Sequence, residues 1–128
     1  MIQKGTYLNV IDNSGVKLIS CIHVGEGYRK RYAKVGDVII ASVKSIRFKQ
    51  NLKVKKGSVV KALIVRNTLS SILKKKVALP LKFSENAAVI LNSNNNKFLS
   101  TKIFGAVFKD FRYTRFSRVL TLSSGFLK

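Results

Sequence analysis

Cys21 and His23 are the side chains whose types and spacing could form a nucleophile and its base. They are two residues apart in segment 16–24, whose alternation of apolar residues predicts a strand with both on one face. The two predicted faces are Lys17, Ile19, Cys21 and His23 on one side, and Val16, Leu18, Ile22 and Val24 on the other. No two of the five scattered acids have the spacing of an acid–base pair. We therefore interpret the pair as part of a half-buried strand face, and expect neither catalysis nor a cofactor.

A second group of side chains has the chemistry of nucleic-acid binding. The segment YRKRY, residues 28–32, places three cations between two aromatic rings, and residues 28–56 together hold ten cations and one acid. Arginine contacts phosphate through paired hydrogen bonds, and tyrosine stacks on unpaired bases. For Tyr28 and Tyr32 the alternative is packing against the mouth of the fold, and the sequence leaves both interpretations open.

The net charge extends this interpretation to the whole chain, since 25 Lys and Arg stand against five acids among 128 residues. The first 64 residues carry 13 cations and 3 acids, the last 64 carry 12 and 2, and each half therefore has a balance of +10. A field of this sign attracts polyanions. Nucleic acid is the leading partner, and an anionic membrane surface is the rival, although no apolar run has the length of a membrane span.

A single cysteine excludes an intramolecular disulfide and a zinc cluster of the usual Cys/His kind, and fits a reducing compartment. The N-terminal residues show no targeting pattern, so we expect no presequence.

The elements that must position these residues are mostly short strands. Apolar alternation and β-branched residues predict strands at residues 7–11, 16–24, 38–46, 59–65 and 87–91. DNSG at 12–15, GEG at 25–27 and VGD at 35–37 are turn signals, and residues 47–56 are a basic hairpin or loop. Pro80 makes segment 77–83 an edge strand or an irregular segment.

After Gly105 the period changes to three or four residues. Val107, Phe108 and Phe111 take the apolar positions, and the basic positions are Lys109, Arg112, Arg115 and Arg118. We therefore predict one domain, residues 1–128: an all-β dominated, small β-barrel with a short C-terminal helical segment at about residues 105–120.

Several segments in this order and spacing resemble one family: MIQKGTYLNVIDNSGVKLISCIHV, RYAKVGDVI, VKKGSVVKALIVR, ENAAVIL and TKIFGAVFKDFR. The chain is similar to large-subunit ribosomal protein fourteen in its bacterial and organellar form. The resemblance implies a five-stranded β-barrel with a projecting basic hairpin and direct binding to large-subunit ribosomal RNA. It also implies a place at the subunit interface, bridges to small-subunit RNA, and contacts with large-subunit proteins three and nineteen and with the ribosomal silencing factor.

The resemblance also assigns residues. Asn13, Ser14 and Gly15 match the family's hairpin turn, Arg29, Arg31, Tyr32 and Lys34 its RNA-facing loop, and Lys53, Lys55 and Lys56 its basic hairpin. With the basic residues above, the candidate RNA-binding set is Asn13, Ser14, Lys17, Tyr28, Arg29, Lys30, Arg31, Tyr32, Lys34, Lys44, Arg47, Lys49, Lys53, Lys55, Lys56 and Arg66. The candidate set for the subunit interface and the silencing factor is Thr101, Lys102, Arg112 and Arg115.

The sequence thus predicts a structural ribosomal protein that binds RNA through basic loops held by a barrel. The alternatives are a free single-stranded nucleic-acid module and a cationic protein of membrane surfaces. Richness in Lys, Asn, Ile and Phe is typical of an AT-rich genome. We therefore expect an organelle-encoded protein of the mitochondrial ribosome, with a plastid or a bacterial cytoplasm as alternatives.

Overall fold

The computed structural model describes residues 2–25, 27–47, 52–68, 83–94 and 96–127. Five strands of these residues close into a barrel in chain order: β1 (Tyr7–Val10), β2 (Val16–His23), β3 (Val38–Ile46), β4 (Val59–Arg66) and β5 (Ala87–Leu91). Neighbouring strands are antiparallel, except that β1 pairs in parallel with β5 to close the barrel. The predicted fold class is confirmed. Most of the predicted edge segment 77–83 and the middle of the basic hairpin lie outside the described residues.

The barrel interior is filled by branched aliphatic side chains, among them the fully buried Leu8, Ile19, Ile39, Ile64 and Ile90. On β3 the burial alternates strictly from residue 38 to residue 43, as the period of two requires for a strand with one buried face. All five residues of β5 are buried, and the C-terminal part of the chain, residues 96–127, returns to β5 through a bridge between Phe98 and Leu91.

The face assignment predicted for β2 is wrong, and β-bulges are the cause. Its pairing with β3 shifts register between residues 16 and 18, between 18 and 19, and between 21 and 23. Each irregularity moves the following side chains to the other side of the sheet. Ile19 and Cys21 are therefore buried, whereas Ile22 and His23 are exposed.

The C-terminal part contains a helical segment that is shorter than predicted and divided in two. Val107 and Phe108, predicted to be helical, belong to β6 (Ile103–Phe108). The prediction failed because a short apolar run does not distinguish a helix from a buried strand. A 3₁₀ helix (Lys109–Tyr113), the helix α1 (Arg118–Leu122) and β7 (Ser123–Leu127) follow. The parallel pairing of β7 with β6 has no signal in the sequence pattern.

Two groups of contacts fix this C-terminal part against the barrel. The Phe104 amide donates to the Ile11 carbonyl at 2.7 Å, and the rings of Phe83 and Phe108 meet edge to face with centroids 4.9 Å apart. Phe111 and Val119 are buried on the same core. The exposed basic side chains of residues 112–118 are thereby held at a fixed place beside the barrel.

Candidate nucleic-acid interface

The basic loop, defined here as residues 27–34, is flanked on both sides by hydrogen bonds of backbone amides. At its start the Gly25 amide donates to Nδ1 of His23 at 3.1 Å. At its end Ala33 exchanges two hydrogen bonds with Ile2, at 2.8 and 3.0 Å. Gly25 and the predicted turn at residues 35–37 are thus the two hinges between the basic loop and the barrel.

The second hinge is closed by Asp37. Its Oδ2 accepts the Lys34 amide at 2.8 Å, and its own amide donates to the Lys34 carbonyl at 3.1 Å. Gly36 has φ +91° and donates to the Ile64 carbonyl at 2.8 Å, which fixes the turn on β4. The barrel therefore determines where the basic loop stands.

Tyr28 and Arg29 are both exposed on this frame. Tyr28 is 89% exposed, which rules out the packing alternative for this ring within the described residues. Arg29 has φ +54°, a conformation that residues other than glycine seldom adopt. Its guanidinium carbon lies 5.2 Å from the centre of the Tyr28 ring. One face of the ring is thus covered by a cation, and the pair presents aromatic surface and positive charge together.

The remaining cations of the basic loop are also at the surface. Lys30 pairs with Asp37 at 2.9 Å, an exposed contact of the kind that contributes little to stability. Arg31 and Lys34 are exposed, and Tyr32 is 40% exposed with its ring partly against the protein. The further basic candidates that are exposed are Lys17, Lys44, Arg47, Lys53, Lys55 and Lys56. Lys49 lies outside the described residues.

The turn at residues 12–15 holds candidate residues inside the protein. Asp12 is 2% exposed; its Oδ1 accepts the Ser14 amide at 3.0 Å and its Oδ2 accepts the Ile90 amide at 2.9 Å. Ser14 is buried, and its hydroxyl donates to the same Asp12 carboxylate. This confirms the predicted turn chemistry and gives Ser14 a structural partner, while its contact with RNA stays a prediction.

Asn13 connects the two candidate sets, which the sequence had kept apart. Its side-chain amide donates to Thr101 Oγ1 at 2.9 Å, and its Oδ1 accepts the Thr101 amide at 3.1 Å. Thr101 and the neighbouring Lys102 are exposed. The structure therefore makes Asn13 the residue that orients the Thr101 segment.

Arg66 is directed into the protein. Its Nη1 donates to Glu85 Oε1 at 2.9 Å, its Nε to the Ala106 carbonyl at 2.9 Å and its Nη2 to the Phe104 carbonyl at 2.6 Å. These bonds connect β4 to β6. An RNA contact of Arg66 stays a prediction, but its guanidinium already joins the barrel to the C-terminal part.

The two arginines of the second set, Arg112 and Arg115, are both exposed. The structure places Arg115 with the basic loop as well, because a cleft beside that loop is lined by Arg115, Lys30 and Lys61. Lys61 and His23, which also lines the cleft, were not among the predicted RNA-binding residues. The sequence did contain a signal for Lys61, because it is the one charged residue in the apolar segment VVKALIV, residues 59–65.

Cys21 and His23 do not form a catalytic pair. Cys21 is buried and His23 is exposed, so the prediction that they share a face is wrong. The Cys21 thiol lies 3.7 Å from the His23 carbonyl oxygen rather than at the imidazole. Burial raises the pKa of the Cys21 thiol above its ordinary value, which disfavours the thiolate that a nucleophile requires.

Comparison with known proteins decides the family. The family model described as ribosomal protein L14p/L23e matches residues 1–127. The chain belongs to this family. A relative from Carsonella ruddii (strain PV), named large ribosomal subunit protein uL14, is 39% identical over 124 residues, which are 97% of this chain and 98% of the relative. The protein is therefore a structural constituent of the large ribosomal subunit and not an enzyme, as predicted.

Membrane-spanning helices and metal sites are two further features on which the described part of the chain bears. No helix within it is long and apolar enough to cross a membrane. Across the same ranges, His, Cys, Asp and Glu side chains form no group of three that could hold a metal ion.

Proposed function

We propose that this ribosomal protein binds large-subunit ribosomal RNA directly, through exposed cations that the barrel holds in fixed positions. The observation that carries the proposal is the basic loop, which presents Tyr28 and four cations to solvent on a frame anchored at both ends. Lysine and arginine at phosphates release counterions and supply affinity. Phosphate contacts of this kind fix position and orientation without reading sequence.

We further propose that the surface around Thr101, Lys102 and Arg112 faces the subunit interface, where it contributes to bridges with small-subunit RNA and to contacts with the silencing factor. The paired hydrogen bonds from Asn13 support this, since they fix the Thr101 segment on the barrel. Large-subunit proteins three and nineteen are proposed as neighbours from the family resemblance alone.

The location that we propose is a ribosome of an AT-rich genome. The mitochondrial assignment rests on composition, whereas the similarity to a bacterial protein supports the bacterial alternative. Sequencing of the genome that encodes the chain distinguishes the two.

Co-sedimentation tests the central proposal. The native protein is expected to sediment with the large subunit at moderate salt, and the purified protein to bind ribosomal RNA with an affinity that falls steeply as salt rises. A protein that sedimented apart from the subunit would contradict it. Binding to short oligonucleotides with a slope of only a few phosphates would favour a free single-stranded nucleic-acid module instead.

A double substitution locates the interface on the basic loop. Arg29→Ala with Arg31→Ala is expected to weaken RNA binding by about 10-fold or more, because two phosphate contacts are lost. The melting temperature should stay nearly constant, since both side chains are exposed. Thermal unfolding followed by circular dichroism provides the control. A large loss of stability would show that these arginines serve the fold.

A further inference from the structure

A cleft of about 440 Å³ lies on the outer surface of the barrel beside the basic loop. Its floor follows from the strand register: His23 on β2, Ile40 on β3 and Lys61 on β4 are direct cross-strand neighbours. Directly opposed residues in a sheet project to the same side. His23 and Lys61 therefore flank the apolar side chain of Ile40, with their backbones roughly 10 Å apart, which is twice the spacing of neighbouring strands.

The rim of the cleft comes from three other parts of the chain. The basic loop supplies Lys30, the second hinge supplies Asp37, and the C-terminal part supplies Arg115. Asn96 completes this side, and its Oδ1 lies 3.4 Å from Lys61 Nζ. Segments far apart in sequence thus meet around one apolar floor.

The charge of the cleft favours an anion. Among the described residues that line it, the carboxylate is Asp37, which is already engaged by the Lys30 ammonium and by the Lys34 amide. Lys61 and Arg115 form no ion pair with a carboxylate of the described residues. The Arg115 guanidinium instead lies 4.8 Å from the centre of the Phe116 ring, a contact that leaves its N–H groups able to donate.

His23 adds an N–H donor. Its Nδ1 accepts the Gly25 amide, so the neutral imidazole carries its hydrogen on Nε2. The side chain is exposed at the cleft. A ligand in the cleft therefore meets two cations and one imidazole N–H around an aliphatic surface.

We propose that this cleft binds one unpaired nucleotide of RNA, with its phosphate at Lys61 and Arg115 and its base or ribose against Ile40 and Val38. The proposal rests on the proposed function and specifies part of its interface. The volume lies within the range of roughly 300–1,000 Å³ typical of small-ligand sites. An unpaired nucleotide fits because its base face is free to cover the apolar floor, whereas a paired base is enclosed in its helix.

Matched arginines in the C-terminal part provide the test. Arg115 lines the cleft, and Arg118, three residues further on, is exposed elsewhere. Arg115→Met and Lys61→Met are each expected to weaken binding of a mixed-sequence single-stranded RNA by roughly 3- to 10-fold, and to lower the salt slope by about 0.7 for each lost phosphate contact. Arg118→Met should change affinity less than twofold, and all three variants should bind an RNA duplex of equal length nearly as the unmodified protein does.

Crosslinking tests the position of the nucleotide independently of the affinity measurements. A single-stranded RNA containing 4-thiouridine is expected to crosslink, on irradiation, to peptides that contain residues 36–40 and 59–63, and mass spectrometry identifies them. Crosslinks confined to the basic loop would overturn the proposal, as would an equal loss of affinity for Arg118→Met. Melting temperatures of the variants confirm that the barrel is intact.

The outcomes separate this inference from the proposed function. If the unmodified protein binds no RNA, the proposed function itself fails. If it binds RNA and the cleft variants bind equally well, only the cleft assignment fails. If a glutamate-rich peptide binds in a manner that depends on Lys61 and Arg115 while RNA binding is unchanged, the cleft belongs to an acidic protein segment instead.

Discussion

Tyr28 is 89% exposed at the turn of the basic loop. Arg29, the next residue, has φ +54°, so the chain reverses at this point and both side chains project outward. The guanidinium then covers one face of the ring, and the other face is open to a base. The arrangement favours stacking over packing as the role of Tyr28.

Substitution of Tyr28 tests this role. Tyr28→Ala is expected to weaken binding of single-stranded RNA by about 1–3 kcal/mol, the usual contribution of a stacked base, whereas Tyr28→Phe keeps the ring and should bind nearly as before. Tyr7→Ala is the control, since Tyr7 is 57% exposed on β1. Fluorescence anisotropy with labelled RNA measures all three. Equal losses at Tyr7 and Tyr28 would contradict a stacking role.

At the scale of elements, the position of the basic loop depends on its two hinges. Gly25 and Gly36 have nearly the same φ, +93° and +91°, which strains any residue with a side chain. Their surroundings differ: a Cβ on Gly25 would meet the Val38 carbonyl oxygen, whereas one on Gly36 would meet no atom within 4 Å. Gly25 therefore has no room for a side chain.

The two glycines form a matched pair for a stability measurement. Gly36→Ala is expected to cost about 1–2 kcal/mol of the free energy of unfolding, from the left-handed conformation alone. Gly25→Ala should cost at least about 1 kcal/mol more, because β3 must move to admit the methyl group. Urea denaturation provides both values. Equal costs would show that the Val38 carbonyl yields easily.

Arg66 is the corresponding contact between the barrel and the C-terminal part. Arg66→Ala is expected to destabilise the protein by about 2–4 kcal/mol, since it leaves two carbonyls and a carboxylate without their charged donor. Arg66→Lys should restore little, because a single ammonium cannot reach all three acceptors. Arg112→Ala, at an exposed arginine, is the control for loss of charge in thermal unfolding. Weaker RNA binding with unchanged stability would instead favour the RNA contact predicted from the sequence.

At the scale of the whole molecule, a net charge of +20 opposes folding of the isolated chain and favours its binding to RNA. Salt screens the self-repulsion of the chain as well as its attraction to RNA. Added salt should therefore stabilise the free protein and weaken its RNA binding. Stability of the free protein should rise with sodium chloride, and a gain of about 1 kcal/mol would raise the melting temperature by roughly 4 °C. RNA affinity should fall over the same range. Calorimetry and a binding titration in matched buffers test the pair, and a melting temperature that falls with salt would contradict the repulsion argument.

The sequence by itself determined the five barrel strands, the turns at residues 12–15 and 35–37, and the basic character of the loop at residues 27–34. It could do so because a period of two, turn residues such as those of DNSG, and clustered charge are local properties. Its failures were also local: the bulges of β2, which exposed His23, and a strand at residues 107 and 108 where the spacing indicated a helix.

Only the tertiary structure decided which residues meet. Asn13 orients Thr101 across 88 positions of the chain, and Arg66 reaches the carbonyls of β6. Lys61 joins Arg115 and His23 at one cleft because strand register and the docking of the C-terminal part bring them together. Such contacts depend on how the barrel closes, a long-range property that the spacing of residues along the chain does not encode.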